Sequence, residues 1–263
     1  DALSRVFARE EVVGSFEHQV ISPRGLYMAL GSASTSTVTP ATLTIRPADE
    51  LPSFTIEEGL RSADGSTEYL GLYGCKVDSL ELVLEQNEDV VETINFAGKG
   101  STIPTYSWNS VKPSIDYSTK PYVFYEGKVL VDGSEIAEVV RASFEIRNNL
   151  EARYGLGGSL PVELREGRLE VSGRMTIGKG IKTFLQKLLA RNEFDVQFKL
   201  VSTDKGTITI TLKNACFEEF RGRLRGMEPY EVEFPFYCRP SSGYDVISVT
   251  VVGPKGTITD YPW

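Results

Sequence analysis

The sequence has a single histidine, His18, and three cysteines, Cys75, Cys216 and Cys238, in 263 residues. Zinc sites need several thiolate or imidazole ligands at short spacings. No cysteine here lies near another or near the histidine, so no metal-ligand set is read. Three scattered cysteines give no disulfide framework; whether one pair forms is left open, and the usage suits a reducing compartment. Histidine-based catalysis needs the imidazole brought beside a nucleophile, and the lone His18, on an alternating stretch with Phe16, reads as structural. Long apolar runs are missing too: none reaches the ~20 residues that span a bilayer. The chain opens at Asp1 with no basic stretch leading into an apolar one, so no signal peptide is read, and without Met, so a trimmed, processed or only partly ordered start is expected. Cations are also in deficit. Lys plus Arg number 28 against 36 Asp plus Glu, a net charge of −8, whereas gripping nucleic acid over many phosphates takes clustered cations. Trp108 is one of two tryptophans, which weakens any sugar-stacking platform.

The search for chemistry among what is present is short. Glu57 with Glu58, Glu88 with Asp89, and Glu218 with Glu219 are adjacent acids, and neighbours on a strand point to opposite faces. They read as solvated charges rather than a glycosidase pair. Tyr154-Gly155-Leu156-Gly157-Gly158 lacks the Gly-Lys-Ser/Thr ending of a phosphate loop and reads as a flexible connection between strands. The one basic cluster, Arg221-Gly222-Arg223-Leu224-Arg225-Gly226, reads as an exposed loop, with contact to a neighbouring subunit as second choice. No catalytic, cofactor-binding or metal residue is assigned, and the chain reads as no enzyme.

What is abundant is alternation with a period of two residues, the mark of half-buried strands. Leu80, Leu82 and Leu84 oppose Ser79, Glu81 and Glu85. Val90, Glu92, Ile94 and Phe96 alternate with Val91, Thr93 and Asn95. Ala142, Phe144 and Ile146 oppose Arg141, Ser143 and Glu145. Leu169, Val171, Met175 and Ile177 oppose Glu170, Ser172, Arg174 and Thr176. Further strands run through Phe194–Leu200, Thr207–Lys213, Glu231–Cys238 and Val246–Val252. One wet face and one buried face make an antiparallel sheet. Hairpin tips are expected at Tyr125–Lys128 and Thr203–Gly206, and Pro235 inside a strand indicates an edge or a bulge.

One helix is expected, over about 181–191. Ile181, Phe184, Leu185, Leu188 and Leu189 form its apolar stripe, which suits a helix covering an open end of the sheet, and Asn192 is the stop. The Ser/Thr-rich run Gly31–Thr39 reads as a mobile loop, and residues 46–68 and 99–121 read as irregular. An internal echo links Ser79-Leu80-Glu81-Leu82 to Ser143-Phe144-Glu145-Ile146. Each is followed by an alternating strand and Gly-Lys-Gly, at Gly98–Gly100 and Gly178–Gly180. A duplication would make each half a small β-sandwich or barrel. The expected organisation is an N-terminal arm and mobile loop over 1–53, a first β-sandwich half over 54–120, a second half with the helix over 121–240, and a C-terminal arm or strand over 241–263.

These residues resemble a family. Tyr73-Gly74-Cys75-Lys76-Val77-Asp78-Ser79-Leu80-Glu81-Leu82, with Val91-Glu92-Thr93-Ile94-Asn95-Phe96-Ala97-Gly98-Lys99, is similar to the first half of tail tube proteins of tailed viruses of bacteria or archaea. The same holds for Pro121–Gly127 through Val131-Asp132-Gly133, for Ser143–Glu151, and for Glu166–Gly173. The resemblance spans roughly 54–239 and rests on many positions, with no single diagnostic motif. It implies a mainly β protein, an antiparallel β-sandwich or barrel of the tail-tube type with a flanking helix. It further implies a structural virion protein, assembled in the host cytoplasm with other tail proteins. Copies would join edge to edge into a ring, hexameric with one barrel per chain or trimeric and pseudo-sixfold with two, and rings would stack into a tube that conducts viral DNA. Ser79, Glu81, Glu92, Ser143, Glu145, Glu170 and Ser172 are the expected channel-facing residues. Ser34, Thr37, Trp108, Tyr117, Arg221, Arg223 and Arg225 are the expected inter-subunit residues. DNA carries about one charge per 1.7 Å, so an acidic or neutral wall lets it slide. Two other readings stand beside this one: the inner tube of a contractile injection system or tailocin, and a soluble β-sandwich carbohydrate-binding module.

Overall fold

Alternating sequences place their apolar side chains on one side of a pleated ribbon, and such ribbons must stack to bury that side. A computed structural model of the protein describes residues 10–36, 41–61, 63, 67–102, 120–136, 138–178, 181–202, 205–219, 221–223, 231–240 and 245–253. Strands β1 (Val12–Gln19), β6 (Val91–Gly98), β5 (Thr67–Glu85), β10 (Val139–Arg147), β13 (Glu170–Ile177) and β17 (Glu231–Cys238) lie side by side in that order, all antiparallel. A second layer orders β9 (Ser134–Glu135), β8 (Gly127–Val131), β14 (Phe194–Ser202), β15 (Gly206–Phe217), β18 (Ile247–Val252), β3 (Thr42–Pro47) and β2 (Gly31–Ser36). Strand β15 joins the layers: Thr207–Leu212 pair with β18, and Ala215–Phe217 pair with β17. The apolar faces meet in one core, where the rings of Phe144 on β10 and Phe198 on β14 are 5.1 Å apart.

The fold is therefore the expected antiparallel β-sandwich, and the expected strands form with the expected side inward. Leu80, Leu82, Phe144, Ile146, Met175, Phe198, Ile210 and Phe234 are all fully buried. The echo acquires a geometric meaning. Glu81 pairs with Glu145, Leu80 with Ile146 and Leu82 with Phe144. The two similar segments thus run antiparallel about a local twofold axis at the Glu81–Glu145 pair, with β6 and β13 as their flanking strands.

The expected helix forms as α2 (Ile181–Ala190), with Phe184 buried and its ring 5.5 Å from Phe234 and 5.7 Å from Phe217. Leu189 is a correction, because it is 83% exposed and points away from the core. The helix stops one residue before Asn192, at Arg191, whose φ of 51 is left-handed. A second helix, α1 (Arg24–Leu30), forms where no helical period marks the sequence. Five of its seven residues are buried, so it shows no amphipathic period, and Gly31 ends it at a φ of 97. Asn148, at the end of β10, ties this helix down: its side-chain amide donates to the carbonyls of Ala29 and Val77, at 3.0 Å each.

Other expectations change. The Ser/Thr run is β2 over Gly31–Ser36, laddered onto β3, and not a loop; residues 37–40 lie outside the described set. The 46–68 stretch contains β4 (Phe54–Arg61), which pairs with Thr67–Cys75 of β5. Strand β7 (Gly100–Thr102) pairs with the same part of β5. Gly74, at a φ of 62, is the kink where β5 leaves the sandwich to form this arm. Tyr125–Lys128 is not a hairpin tip: Phe124–Glu126 is a 3₁₀ turn leading into β8. The real two-residue hairpin is Asp132-Gly133, with φ of 49 and 75, between β8 and β9. The glycine-rich segment caps a projecting hairpin of β11 (Glu151–Tyr154) and β12 (Pro161–Arg165). Pro235 sits in an interior strand, but where β15 leaves β17 and before β16 (Arg221–Arg223) joins it. No ladder partner is lost there, and the Pro235 carbonyl accepts from Glu218 N–H at 3.0 Å.

Candidate functional site

The outward face of the first layer is a polar wall. Register aligns its side chains in rows: Glu17, Thr93, Glu81, Glu145, Ser172 and Tyr237 in one, and Ser15, Asn95, Ser79, Arg147 and Glu170 in the next. A third row holds Glu85, Arg141, Thr176 and Glu233. Six of the sequence-derived residues therefore share one face: Ser79, Glu81, Ser143, Glu145, Glu170 and Ser172. Ser79 and Ser143 are nearly covered, at 9% and 2% exposure, because short side chains sit among longer ones. Ser79 also accepts from the Asn95 amide at 2.8 Å.

Glu92 is the correction in that set. It is fully buried on the opposite, core-facing side with Val90, Ile94 and Phe96. The sequence contained the signal, since Glu92 falls in the apolar phase of β6. Its partner is His18 across the β1–β6 ladder, with Nε2 3.2 Å from Oε1. The lone histidine is thus a structural contact of a buried carboxylate.

Charge on the wall is mixed but acidic. Among the described side chains, Glu17, Glu81, Glu85, Glu145, Glu170 and Glu233 stand against Arg141, Arg147 and Arg174. Each of these three arginines meets a glutamate of the same face, Arg141 to Glu85 at 3.3 Å, Arg147 to Glu145 at 2.8 Å and Arg174 to Glu81 at 3.6 Å, while Arg239 lies over the Tyr237 ring at the rim and reaches Glu193 at 3.8 Å. The guanidinium of Arg147 is held above its ordinary value by that hydrogen bond and the charge of Glu145. Exposed pairs of this kind add little to stability, but they tie up the cations of the wall.

A second polar feature lies beside the β11–β12 hairpin, a cleft of about 970 Å³. Within it Lys76, 8% exposed, reaches Glu166 at 2.6 Å, and the Leu51 N–H donates to the same carboxyl oxygen at 2.9 Å. Burial alone would push the Glu166 carboxyl up, but Lys76 and the Leu51 amide together hold it below its ordinary value. Nothing in the spacing of the sequence brings residues 51, 76 and 166 together.

Of the expected inter-subunit residues, Ser34 is exposed on β2, which among the described strands pairs only with β3. Arg221 and Arg223 lie on β16, opposite Glu233 and Glu231, so Arg221–Arg223 is a strand rather than a loop, and residues 224–226 lie outside the described residues. Thr37, Trp108, Tyr117 and Arg225 lie outside the described residues. Cys75, Cys216 and Cys238 are free thiols, and burial pushes Cys75 up to about 11 and Cys238 up to about 12. No helix among the described residues is long and apolar enough to cross a membrane.

No curated protein matches the chain. A family model described as phage tail tube protein does match, over residues 6–238. The matched region runs from just before β1 to the end of β17, so it takes in the whole polar-walled sheet and extends the resemblance through the N-terminal 50 residues. With a β-sandwich fold and a match over most of its length, the chain belongs to the phage tail tube protein family and is a structural component of the virion tail.

Proposed function

We propose that copies of this chain close into rings, that rings stack into a tube, and that the polar wall lines a channel through which viral DNA passes. The observation that carries the reading is the wall itself: a six-stranded face whose glutamates outnumber its arginines, with each arginine already against a glutamate. A DNA duplex needs free cations to be held. This face offers few, so DNA slides along it. Strands β1 and β2 each have one neighbour among the described strands, and an unpaired edge is a template for another chain. Heterologous contacts of that kind close into rings when the rotation allows. One core per chain supports six copies per ring. Ser34 on β2 and the Arg221–Arg223 strand are the proposed contacts between copies, with assembly in the host cytoplasm beside other tail proteins.

The test is electron microscopy of the purified protein together with a wall variant carrying Glu81→Lys and Glu145→Lys. The wild type is expected to form rings or tubes with sixfold averages. The variant is expected to assemble equally well and to retain DNA in a salt-dependent way. A protein that stays monomeric at high concentration overturns ring assembly. Assembled variant tubes that pass DNA as freely as wild type overturn the assignment of the wall to the channel.

A further inference from the structure

The β11–β12 hairpin is tied down at both ends. It leaves the sheet between Arg147 and Glu170, which pair with each other. Near its root, Lys76 of β5 donates to the Leu164 carbonyl at 3.4 Å. Its tip reaches Glu10, two residues before β1, through three hydrogen bonds. The Glu10 N–H donates to the Ser159 carbonyl at 2.9 Å, the Ser159 hydroxyl to the Glu10 carboxylate at 3.0 Å, and the Tyr154 hydroxyl to the Glu10 carbonyl at 3.2 Å. Since β6 lies between β5 and β1, the hairpin crosses the strand ends and holds its tip at the β1 flank. What the tip presents there is apolar. Leu156 is entirely exposed in a turn otherwise made of glycine, and Val162, beside Gly155, is two-thirds exposed. Val13 on β1 is exposed to the same degree. A single exposed leucine is ordinary, but an apolar tip fixed by three polar contacts and turned to water is a built surface.

Helix α2 covers the other flank. Its Phe184 lies against Phe234 of β17 and Phe217 of β15, and just past its end Glu193 reaches Arg239, the residue after β17, at 3.8 Å. Register sets the height of that end. Tyr237 pairs with Ser172, two residues from the Glu170 root of the hairpin. The hairpin and the end of α2 therefore lie at the same end of the sheet, on opposite flanks. The outer side of α2 shows Lys182, Gln186 and Leu189, all exposed and spaced to share one face.

We propose that the hairpin tip of one copy seats on the outer side of α2 in the next copy, Leu156 against Leu189. The contact rests on the reading that copies close into rings, and it names two faces that meet. Charge selects a second copy as the occupant. From Ile181 to Arg191 the chain has three cations and no acid. Lys187 already pairs with Asp132, while Lys182 and Arg191 have no charged partner among the described residues. Around the tip, exposed Glu10, Glu11, Glu151 and Glu163 outnumber Arg153 and Arg165. A chain of net charge −8 repels its own copies unless the contact sets its basic face against an acidic one.

Position selects a ring. The two faces differ, so the contact is heterologous, and a heterologous contact repeats from copy to copy. Because both faces lie at one height of the sheet, each copy is carried around to the next rather than upward. The burial of two leucines now in water drives the contact, and the charged rim fixes its direction.

The test is sedimentation velocity of the full chain and of two variants, Leu156→Asp and Leu189→Asp. Both positions are exposed, so each variant is expected to melt as the wild type does. Each alone is expected to self-associate at least ~tenfold more weakly. The mixture is decisive. A Leu156→Asp copy keeps its helix face and a Leu189→Asp copy keeps its tip, so together they are expected to form dimers that grow no further. Variants that assemble as tightly as a wild type that forms rings overturn this contact and leave the ring reading standing. A mixture no more associated than its separate components also overturns it. A wild type that stays monomeric overturns the ring reading and this contact with it. Should Leu189→Asp fail to fold, Lys182→Glu takes its place on the same face, with the same outcomes.

Discussion

Strands β6 and β13 flank the β5–β10 pair on opposite sides, and each flank has a phenylalanine lying over a glycine of the adjoining strand. On one side Phe96 of β6 faces Gly14 of β1, where a methyl group would stand 2.5 Å from the ring tip. On the other, Phe236 of β17 faces Gly173 of β13, where it would stand 2.4 Å from the ring and also 2.5 Å from the Ser143 carbonyl oxygen. A ring tip can swing aside, whereas a carbonyl in the middle of a ladder cannot. The flanks differ in what lies beyond as well. Strand β17 sends Val232, Phe234, Phe236 and Cys238 into the core, beneath Phe184 and Phe217. Strand β1 sends in a half-exposed Phe16 and a histidine against a buried acid. Similar strands about one local axis thus end in a sealed flank and a more exposed one.

That contrast can be broken by experiment. The largest effect is expected for Phe234→Ala on the sealed flank, about 3–5 kcal/mol lost from unfolding stability in a denaturant titration. Next comes Gly173→Ala, about 1–3 kcal/mol through overpacking against a backbone that cannot yield; an equal loss for Gly14→Ala would break the comparison. Thiol labelling at mildly alkaline pH follows. Both thiols are held up by burial and react only on opening. Cys75 lies where a methyl group at Gly98 would stand 3.1 Å from its Sγ and 3.0 Å from Val12. It should label at least ~tenfold faster than Cys238, a difference of ~1.4 kcal/mol in local opening. A reversed order would place the loose edge at β17. Phe16→Ala, at a residue 38% exposed, should cost ~1 kcal/mol or less by the same titration. The smallest change is expected for Arg174→Ala, whose ion pair with Glu81 lies on the surface: ~0–1 kcal/mol, vanishing in high salt.

The strands were legible because alternation is local. Leu80, Leu82 and Leu84 declare their side of the sheet whatever they pack against, and β10, β13, β14, β15 and β17 follow the same logic. Helix α2 was legible for the same reason, through its 3.6-residue period. Helix α1 was not, because seven residues buried nearly all round and containing Gly25 show no stripe. Strand β2 was hidden by composition: small Ser and Thr side chains read as a loop until β3 supplies the ladder. The polar wall was half legible. Six of its residues could be named as the wet faces of strands, but Glu92 was assigned by its charge rather than by its phase, and the phase was right.

By itself the sequence determined which segments are strands, which side of each is apolar, and that no histidine or cysteine cluster equips a reaction centre, since each of these follows from residue type and short spacing. Only the tertiary structure decided that β5 and β10 pair about an axis through Glu81 and Glu145. It alone brought His18 to Glu92 and joined Leu51, Lys76 and Glu166. These pairings join residues far apart in the chain, and register over such distances is fixed by the packing of the whole core rather than by any local preference.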